Sequence, residues 1–183
     1  MIMKKFLSLS TLIVCLVFAS TATAQKFSGL DKSPMDVAAF PTSYKVADKL
    51  VKVTYSRPQL KGRTIAELAP AGSVWRTGAN EAVEITFYKD VDFGGKEVKA
   101  GTYSLFTIPG AKEWTFILNS KLNQWGSYTY DESADIVRAM GSVSAGSESL
   151  DAFSMTFNEK DKGADLVLGW GKTRVSVTVS GKE

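Results

Sequence analysis

Hydrophobic and polar residues alternate with a period of two along most of the chain. Between residues 50 and 56, two valines and a tyrosine alternate with lysine, threonine and serine, and residues 82–88 repeat this pattern. Further apolar runs cover residues 102–108, 114–119, 136–140, 153–157, 166–168 and 175–179. Such runs, separated by turn residues, are typical of strands. The pattern predicts an all-β protein, an antiparallel β-sandwich of about eight to ten strands.

Two other local signals complete the predicted fold. The adjacent Gly94 and Gly95 can supply the positive φ that a tight hairpin needs. Residues 64–68 form a helix-like stretch, which Pro70 and Gly72 limit to one or two turns. We therefore expect at most one short helix.

The N-terminal segment has the pattern of a cleavable signal peptide. Two lysines precede an apolar stretch over residues 6–19, and small residues at 22–24 provide a cleavage site after Ala24. This stretch is shorter than the ~20 residues that span a bilayer. We therefore expect a periplasmic or secreted protein without a transmembrane segment. The remaining chain, which has no repeat or low-complexity linker, should form a lead-in over residues 25–32 and one domain over residues 33–183.

Charge and composition exclude several classes of function. Loss of Lys4 and Lys5 with the signal lowers the formal charge by two, from +3 to +1, so nucleic acid is not an expected partner. The chain has no histidine, and its one cysteine, Cys15, lies in the signal. Catalysis by Ser-His-Asp or Cys-His groups and disulfides in the mature protein are therefore excluded. The calcium-loop-like start at Asp90 has Gly94 in the third ligand position, and no phosphate-binding glycine loop is present. We expect neither a metal nor a cofactor.

Three polar-aromatic segments, residues 55–58, 61–63 and 75–81, stand out from this plain β-type sequence. Unpaired arginine is costly to bury and tryptophan has a large apolar surface, so such a concentration needs a structural or functional reason. If these loops meet at one end of the sandwich, they form a binding site. The candidate ligand-binding residues are Tyr55, Arg57, Arg63, Trp75, Arg76, Asn80 and Glu81.

Two interpretations of this cluster stay open. In the structural one, which we favour, Pro58 and Gly62 shape a turn, the arginines pair with glutamates, and Trp75 fills the end of the sandwich. In the binding interpretation, two arginines hold a carboxylate, sulfate or phosphate, Asn80 and Tyr55 orient the ligand, and the tryptophan ring stacks on it.

A second candidate surface is the segment 123–131, which carries three aromatic residues together with amides and a carboxylate. Aromatic faces stack on sugar rings while polar groups bind hydroxyls, so this composition is typical of a sugar platform. The favoured alternative is that Trp125 and Tyr128 point into the core as part of a strand, because Tyr128 and Tyr130 have strand spacing.

The chain resembles the family called domain of unknown function 2911 over nearly the whole mature sequence. The motifs that carry the resemblance lie at residues 55–58, 61–63, 75–81 and 100–106, with Trp114, Asn119, Trp125 and Trp170 after them. Members of this family are exported β-rich proteins typical of Bacteroidetes. The resemblance marks Arg57, Arg63, Trp75, Arg76 and Asn80 as motif residues and implies no activity.

Three functions are compatible with these observations. The first is a non-catalytic module that binds a small polar or anionic ligand, such as a carboxylate, a phosphate or a glycan, through the cluster. The second is an envelope structural or protein-interaction domain that acts through its edge strands. The third, ranked last, is an enzyme without histidine or cysteine, in which Glu81 or Glu84 serves as acid or base. The sequence leaves the oligomeric state open.

Overall fold

The computed structural model describes residues 25–182, so the predicted signal peptide and its cleavage site lie outside the described residues. The described part contains nine strands, one short α-helix, α1 (Ile65–Leu68), and one 3-10 turn (Glu132–Ala134). The strands are β1 (Met35–Phe40), β2 (Val51–Ser56), β3 (Val83–Phe87), β4 (Val91–Phe93), β5 (Lys96–Val98), β6 (Gly101–Ile108), β7 (Glu113–Asn119), β8 (Asp135–Lys160) and β9 (Gly163–Gly181).

All nine strands belong to one antiparallel sheet with the order β1-β2-β3-β6-β7-β8-β9-β4-β5. This confirms the predicted all-β antiparallel fold and its strand number. The apolar runs at 136–140 and 153–157 are parts of one long strand, β8, and the last two runs are both in β9. The sequence pattern separates the runs of β8 because the strand contains register shifts between Ala145 and Leu150 and between Leu150 and Ser154.

The two layers of the sandwich come from this single sheet, because β8 and β9 bend. The first half of β8 pairs with β7, whereas its second half packs over β1 and β2. The rings of Tyr55 and Phe153 lie 5.9 Å apart, and those of Phe40 and Phe157 lie 6.3 Å apart. The Phe153 amide also donates a hydrogen bond of 2.8 Å to the Pro58 carbonyl. The end of β2 is therefore fastened to the far half of β8.

An aromatic cluster fills one end of the core. Trp75 stacks on Trp170, with ring centroids 5.4 Å apart and an angle of 9° between the rings. Trp114 and Phe153 pack edge-on against the Trp75 ring, at 6.1 Å and 5.2 Å. Aromatic pairs of this kind contribute about 0.5–1.5 kcal/mol each beyond the burial of their surface. Trp75 thus fills the end of the sandwich, as the structural interpretation of the cluster expects.

The predicted short helix and hairpin are both present. Helix α1 begins after Thr64, whose side chain and that of Glu67 form a reciprocal capping box, and it ends before Pro70. Gly94 and Gly95, with φ of 58° and 82°, form the turn between β4 and β5. The sequence pattern does not predict β1, because this edge strand pairs only with β2 in the described structure and its burial does not alternate cleanly. No helix among residues 25–182 has the length and apolar character to cross a membrane.

The outer face of β6 and β7 is covered by residues 120–134, which we call the cover loop. Tyr130 packs edge-on against Phe106 on this face, with ring centroids 5.1 Å apart. The Asn119 side chain donates hydrogen bonds to the Asp131 carbonyl at 2.9 Å and to the Asp135 carboxylate at 2.8 Å. The cover loop is therefore a fixed second layer over part of the sheet, and its margin forms a wall beside β2 and β3.

Candidate functional site

Two of the seven candidate residues, Tyr55 and Trp75, lie in the core. The Tyr55 hydroxyl accepts a hydrogen bond of 2.9 Å from the Met155 amide, and burial raises the pKa of this tyrosine. Trp75 is enclosed by the aromatic cluster described above. Both side chains hold the distal half of β8 against the rest of the sheet.

Arg57 is half-buried, and its side chain joins three strands. Its Nε donates to the Phe153 carbonyl at 3.0 Å, and its Nη2 donates to the Ser154 hydroxyl at 2.7 Å. Its Nη1 lies 3.0 Å from the Asp36 carboxylate on β1. These partners occupy all three nitrogens of the guanidinium, so Arg57 closes the sandwich at the end of β2.

Arg63 and Arg76 bind different residues from those that Arg57 binds, and they share no partner with each other. Arg63 is exposed, and it donates to the carbonyls of Leu60 at 3.0 Å and Gln59 at 2.8 Å, which fixes the turn before α1. Arg76 is half-buried, and the hydrogen bond of its guanidinium within residues 25–182 is a long one of 3.4 Å to the Gly78 carbonyl. The three arginines therefore do not converge on a common anion.

The other two candidates, Asn80 and Glu81, meet the cover loop. Glu81 forms an antiparallel bridge with Trp125, and the Gly126 amide donates a hydrogen bond of 3.0 Å to the Asn80 carbonyl. Asn80 has a φ of 60°, a left-handed conformation that asparagine tolerates better than most residues. The structure thus brings the end of the first cluster together with the second candidate surface, although five strands separate the two in the sequence.

At this junction two adjoining cavities, with volumes of about 300 Å³ and about 270 Å³, lie against the outer face of β2. Both are lined by Met35, Ser56 and Glu81, so we treat them as one depression and call it the outer groove. The first cavity continues along β2 and β3 to Thr54, Tyr55, Ala82, Glu84 and Asn123, and the second continues to Asp31, Ser33, Asn80 and Trp125.

The polar side chains of the outer groove differ in how they are held. Glu84 accepts a hydrogen bond of 3.1 Å from the Asn123 amide. Asp31 accepts one of 2.7 Å from the Ser33 amide, and this bond, with a second from the Asn80 side chain, lowers the pKa of Asp31.

Two groove residues have no such partner. The Ser56 residue is only 4% exposed, and its hydroxyl, which takes part in no side-chain hydrogen bond within residues 25–182, opens into the groove. The Glu81 carboxylate is exposed and also lacks a protein partner among those residues. Ser56 was not among the candidates from the sequence. Its place among the polar residues that alternate along β2 could have assigned it to the outer face of the sheet. Nothing in the sequence marks Met35 as a groove residue.

The two aromatic residues at the tip of the cover loop are exposed, Trp125 by 60% and Tyr128 by 81%. The expectation that they enter the core as part of a strand is wrong. The chain forms a turn over residues 126–129, where Gly126 has a φ of 69°, and this turn breaks the strand spacing. Tyr130 alone packs inward, and burial together with its hydrogen bond to Asp135 raises its pKa to about 12.

The outer groove therefore combines an exposed indole with amide, hydroxyl and carboxylate groups. Within residues 25–182 no group of three acidic side chains converges on a point that could hold a metal ion. Aromatic faces beside hydroxyl and amide groups match the alternating apolar and polar surfaces of a polyhydroxylated molecule.

A family model described as protein of unknown function (DUF2911) matches residues 34–179. The chain belongs to the DUF2911 family. This confirms the resemblance found in the sequence motifs, and the DUF2911 match includes all nine strands up to the last two residues of β9. All residues that line the outer groove lie within the DUF2911 region except Asp31 and Ser33. No curated protein and no solved structure matches the chain.

Proposed function

We propose that this DUF2911 protein is an exported, non-catalytic module that binds a carbohydrate chain in the outer groove. The observation that carries the proposal is the meeting of Trp125 with Asn80, Glu81 and Ser56 around one depression. The proposed export rests on the signal-peptide pattern of residues 1–24.

The shape and chemistry of the groove support a sugar ligand. Its larger cavity, about 300 Å³, lies at the lower end of the ~300–1,000 Å³ range of ligand pockets. Because the second cavity adjoins it, the depression is elongated and suits a short chain of sugar units. The Trp125 indole would stack on one ring, while the Asn80 amide and the Ser56 hydroxyl would bind ring hydroxyls.

The proposed contact set is narrower than the set of candidates from the sequence. We assign Tyr55, Trp75, Arg57 and Arg63 to the fold, because their polar atoms are bonded to the protein or their rings are enclosed. Arg76 lines neither cavity of the outer groove, so we leave it outside the binding set.

The test is a binding screen of the purified chain against envelope and plant oligosaccharides, with two matched variants. Trp125→Ala should weaken binding by at least about tenfold, since a buried aromatic anchor contributes more than about 1 kcal/mol. Tyr128→Ala is the control, because Tyr128 is an exposed aromatic of the same loop that lines neither cavity. Absence of any sugar ligand, or equal binding by Trp125→Ala and the wild type, would overturn the proposal.

The protein-interaction domain remains a second candidate because of one observation at the sheet edge. Met35 and Val37 on β1 are 62% and 53% exposed, and β1 pairs with β2 alone among the described strands. The opposite edge strand, β5, is short and begins with Lys96 and Glu97, which protects it. If β1 binds a partner strand, Val37→Lys should abolish higher assemblies seen by light scattering at high protein concentration. A wild-type chain that stays monomeric would count against self-pairing at this edge.

A further inference from the structure

We infer that the carbohydrate bound in the outer groove carries a free, positively charged amine, as a chain of amino sugars does. This inference rests on the proposed function, because it concerns the chemical class of ligand at the same site. It differs from the anionic ligand that the binding interpretation of the arginine cluster offered as one alternative.

The charged side chains that line the groove are all acidic: Asp31, Glu81 and Glu84. No lysine or arginine lines either cavity. A ligand with carboxylate or sulfate groups would therefore meet like charge along the groove. A cationic ligand would instead meet a complementary potential, which favours its capture and selects it against anionic sugars.

Glu81 is the carboxylate placed to receive the amine. Asp31 and Glu84 already accept hydrogen bonds from the backbone amides of Ser33 and Asn123. The Glu81 carboxylate has no such partner within residues 25–182, and this residue lines both cavities. An ammonium group at the junction of the two cavities could thus donate a charge-assisted hydrogen bond to Glu81.

Ser56 provides an independent sign that a polar ligand belongs at this junction. Its residue is 4% exposed, and its hydroxyl has no hydrogen-bond partner among residues 25–182. Within the same residues no fully enclosed side-chain oxygen or nitrogen lacks a partner, so this hydroxyl opens into the groove that Ser56 lines. Because the Ser56 hydroxyl is open to the groove, a ligand hydroxyl next to the amine can form a hydrogen bond with it.

The expected size of the effect follows from the exposure of Glu81. Ion pairs at exposed sites contribute up to about 1 kcal/mol, which corresponds to roughly fivefold in affinity. The preference should shrink as salt is added, because exposed charges are screened.

The experiment compares a glucosamine tetramer with an N-acetylglucosamine tetramer by calorimetry on the purified chain. Both are measured at mildly acidic pH, where the sugar amine is protonated. The glucosamine tetramer should bind roughly fivefold more tightly. Glu81→Gln should remove this preference, so that the two tetramers bind the variant with equal affinity. Glu159→Gln, a change at an exposed glutamate of the β8–β9 hairpin, should keep the preference.

Each remaining outcome decides between the two proposals. Equal affinity for the two tetramers, a preference that survives in Glu81→Gln, or tighter binding of a uronate tetramer would overturn the amine inference and leave a sugar site. If neither the panel nor the tetramers bind, or if Trp125→Ala binds them like the wild type, the proposed function itself fails. The melting temperature of Glu81→Gln should equal that of the wild type, since this side chain has no partner to lose.

Discussion

Tyr55 and Ser56 are neighbours in β2, yet they belong to opposite regions of the molecule. The Tyr55 ring points into the core and its hydroxyl binds the β8 backbone, whereas Ser56 lies on the floor of the outer groove. The motif at residues 75–81 divides in the same way, because Trp75 is enclosed by aromatic rings and Glu81 borders the groove. One family motif therefore supplies both the inner cluster that closes the sandwich and the outer site that we propose for the ligand.

The strongest test of this division is a pair of tryptophan variants. Trp75→Ala should lower the free energy of unfolding by about 3–5 kcal/mol, because it removes the central ring of the aromatic cluster and leaves a cavity. Trp125→Ala should change it by less than about 0.5 kcal/mol, because the Trp125 side chain is exposed. Urea unfolding measures both, and similar losses in the two variants would contradict the division.

A second pair separates the two faces of β2 at adjacent positions. Tyr55→Phe should cost about 1–3 kcal/mol, since it leaves the Met155 amide without its acceptor in the core. Ser56→Ala should stay within about 0.5 kcal/mol of the wild type in the same unfolding measurement, since its hydroxyl opens into the groove. In the tetramer experiment, however, Ser56→Ala should lower the affinity for both tetramers. A stability loss in Ser56→Ala equal to that of Tyr55→Phe would assign the hydroxyl to the scaffold.

A pair of arginine variants should show a smaller difference in stability. Arg57→Ala should lower the free energy of unfolding by about 1–2 kcal/mol, because three hydrogen bonds are lost but the ion pair with Asp36 is partly exposed and therefore weak. Arg76→Ala should have an effect below about 0.5 kcal/mol, because its guanidinium makes one long hydrogen bond. Thermal melting of the two variants beside the wild type measures the contrast. Equal melting temperatures of the two variants would show that Arg57 does not hold the sandwich closed at the end of β2.

The smallest expected effect is the response of the cover loop to acid. Hydrogen bonds from Lys121 and Ser133 lower the pKa of Asp131 to about 2. Because this folded-state pKa lies below the ordinary value of ~3.9, the carboxylate stabilises the fold above that value, and its contribution is lost as the pH falls towards 2. Wild-type fluorescence would mix the signal of Trp125 with those of the three buried tryptophans, so loop opening is better followed by amide exchange at Ser133. Asp131→Asn should remove the acid dependence, and an unchanged profile would show that Asp131 does not hold the loop.

Local pattern predicts the strands of this protein well, because a strand with one buried face must alternate in sequence. The same rule fails where a segment has the spacing of a strand but a different conformation. Tyr128 and Tyr130 have that spacing, yet the positive φ of Gly126 turns the chain and leaves Tyr128 in solvent. The sequence pattern also does not show that β8 is one continuous strand. Its two apolar runs are separated by the register shifts, and no distinctive residue pattern marks these shifts as bulges within a strand.

The site was harder to predict than the fold, because it depends on contacts between distant segments. Asn80, Glu81 and Trp125 are all candidates from the sequence, but they belong there to two separate candidate surfaces. The bridge between Glu81 and Trp125 and the hydrogen bond from the Gly126 amide to the Asn80 carbonyl join these surfaces into one groove. The arginine and tryptophan residues attracted attention by type, and their partners, such as the Phe153 carbonyl and the Trp170 ring, could not be inferred from spacing alone.

The bent β8 also determines when the chain can finish folding. The backbone amide that Tyr55 binds belongs to Met155, one hundred positions further along the sequence. Strand β2 therefore has nothing packed on its core side until the second half of β8 is available. Loop closure over this distance is slow compared with the formation of local contacts. A chain shortened before β8 would keep its first strands without the layer that packs over them, so the apolar face of these strands would be open to aggregation.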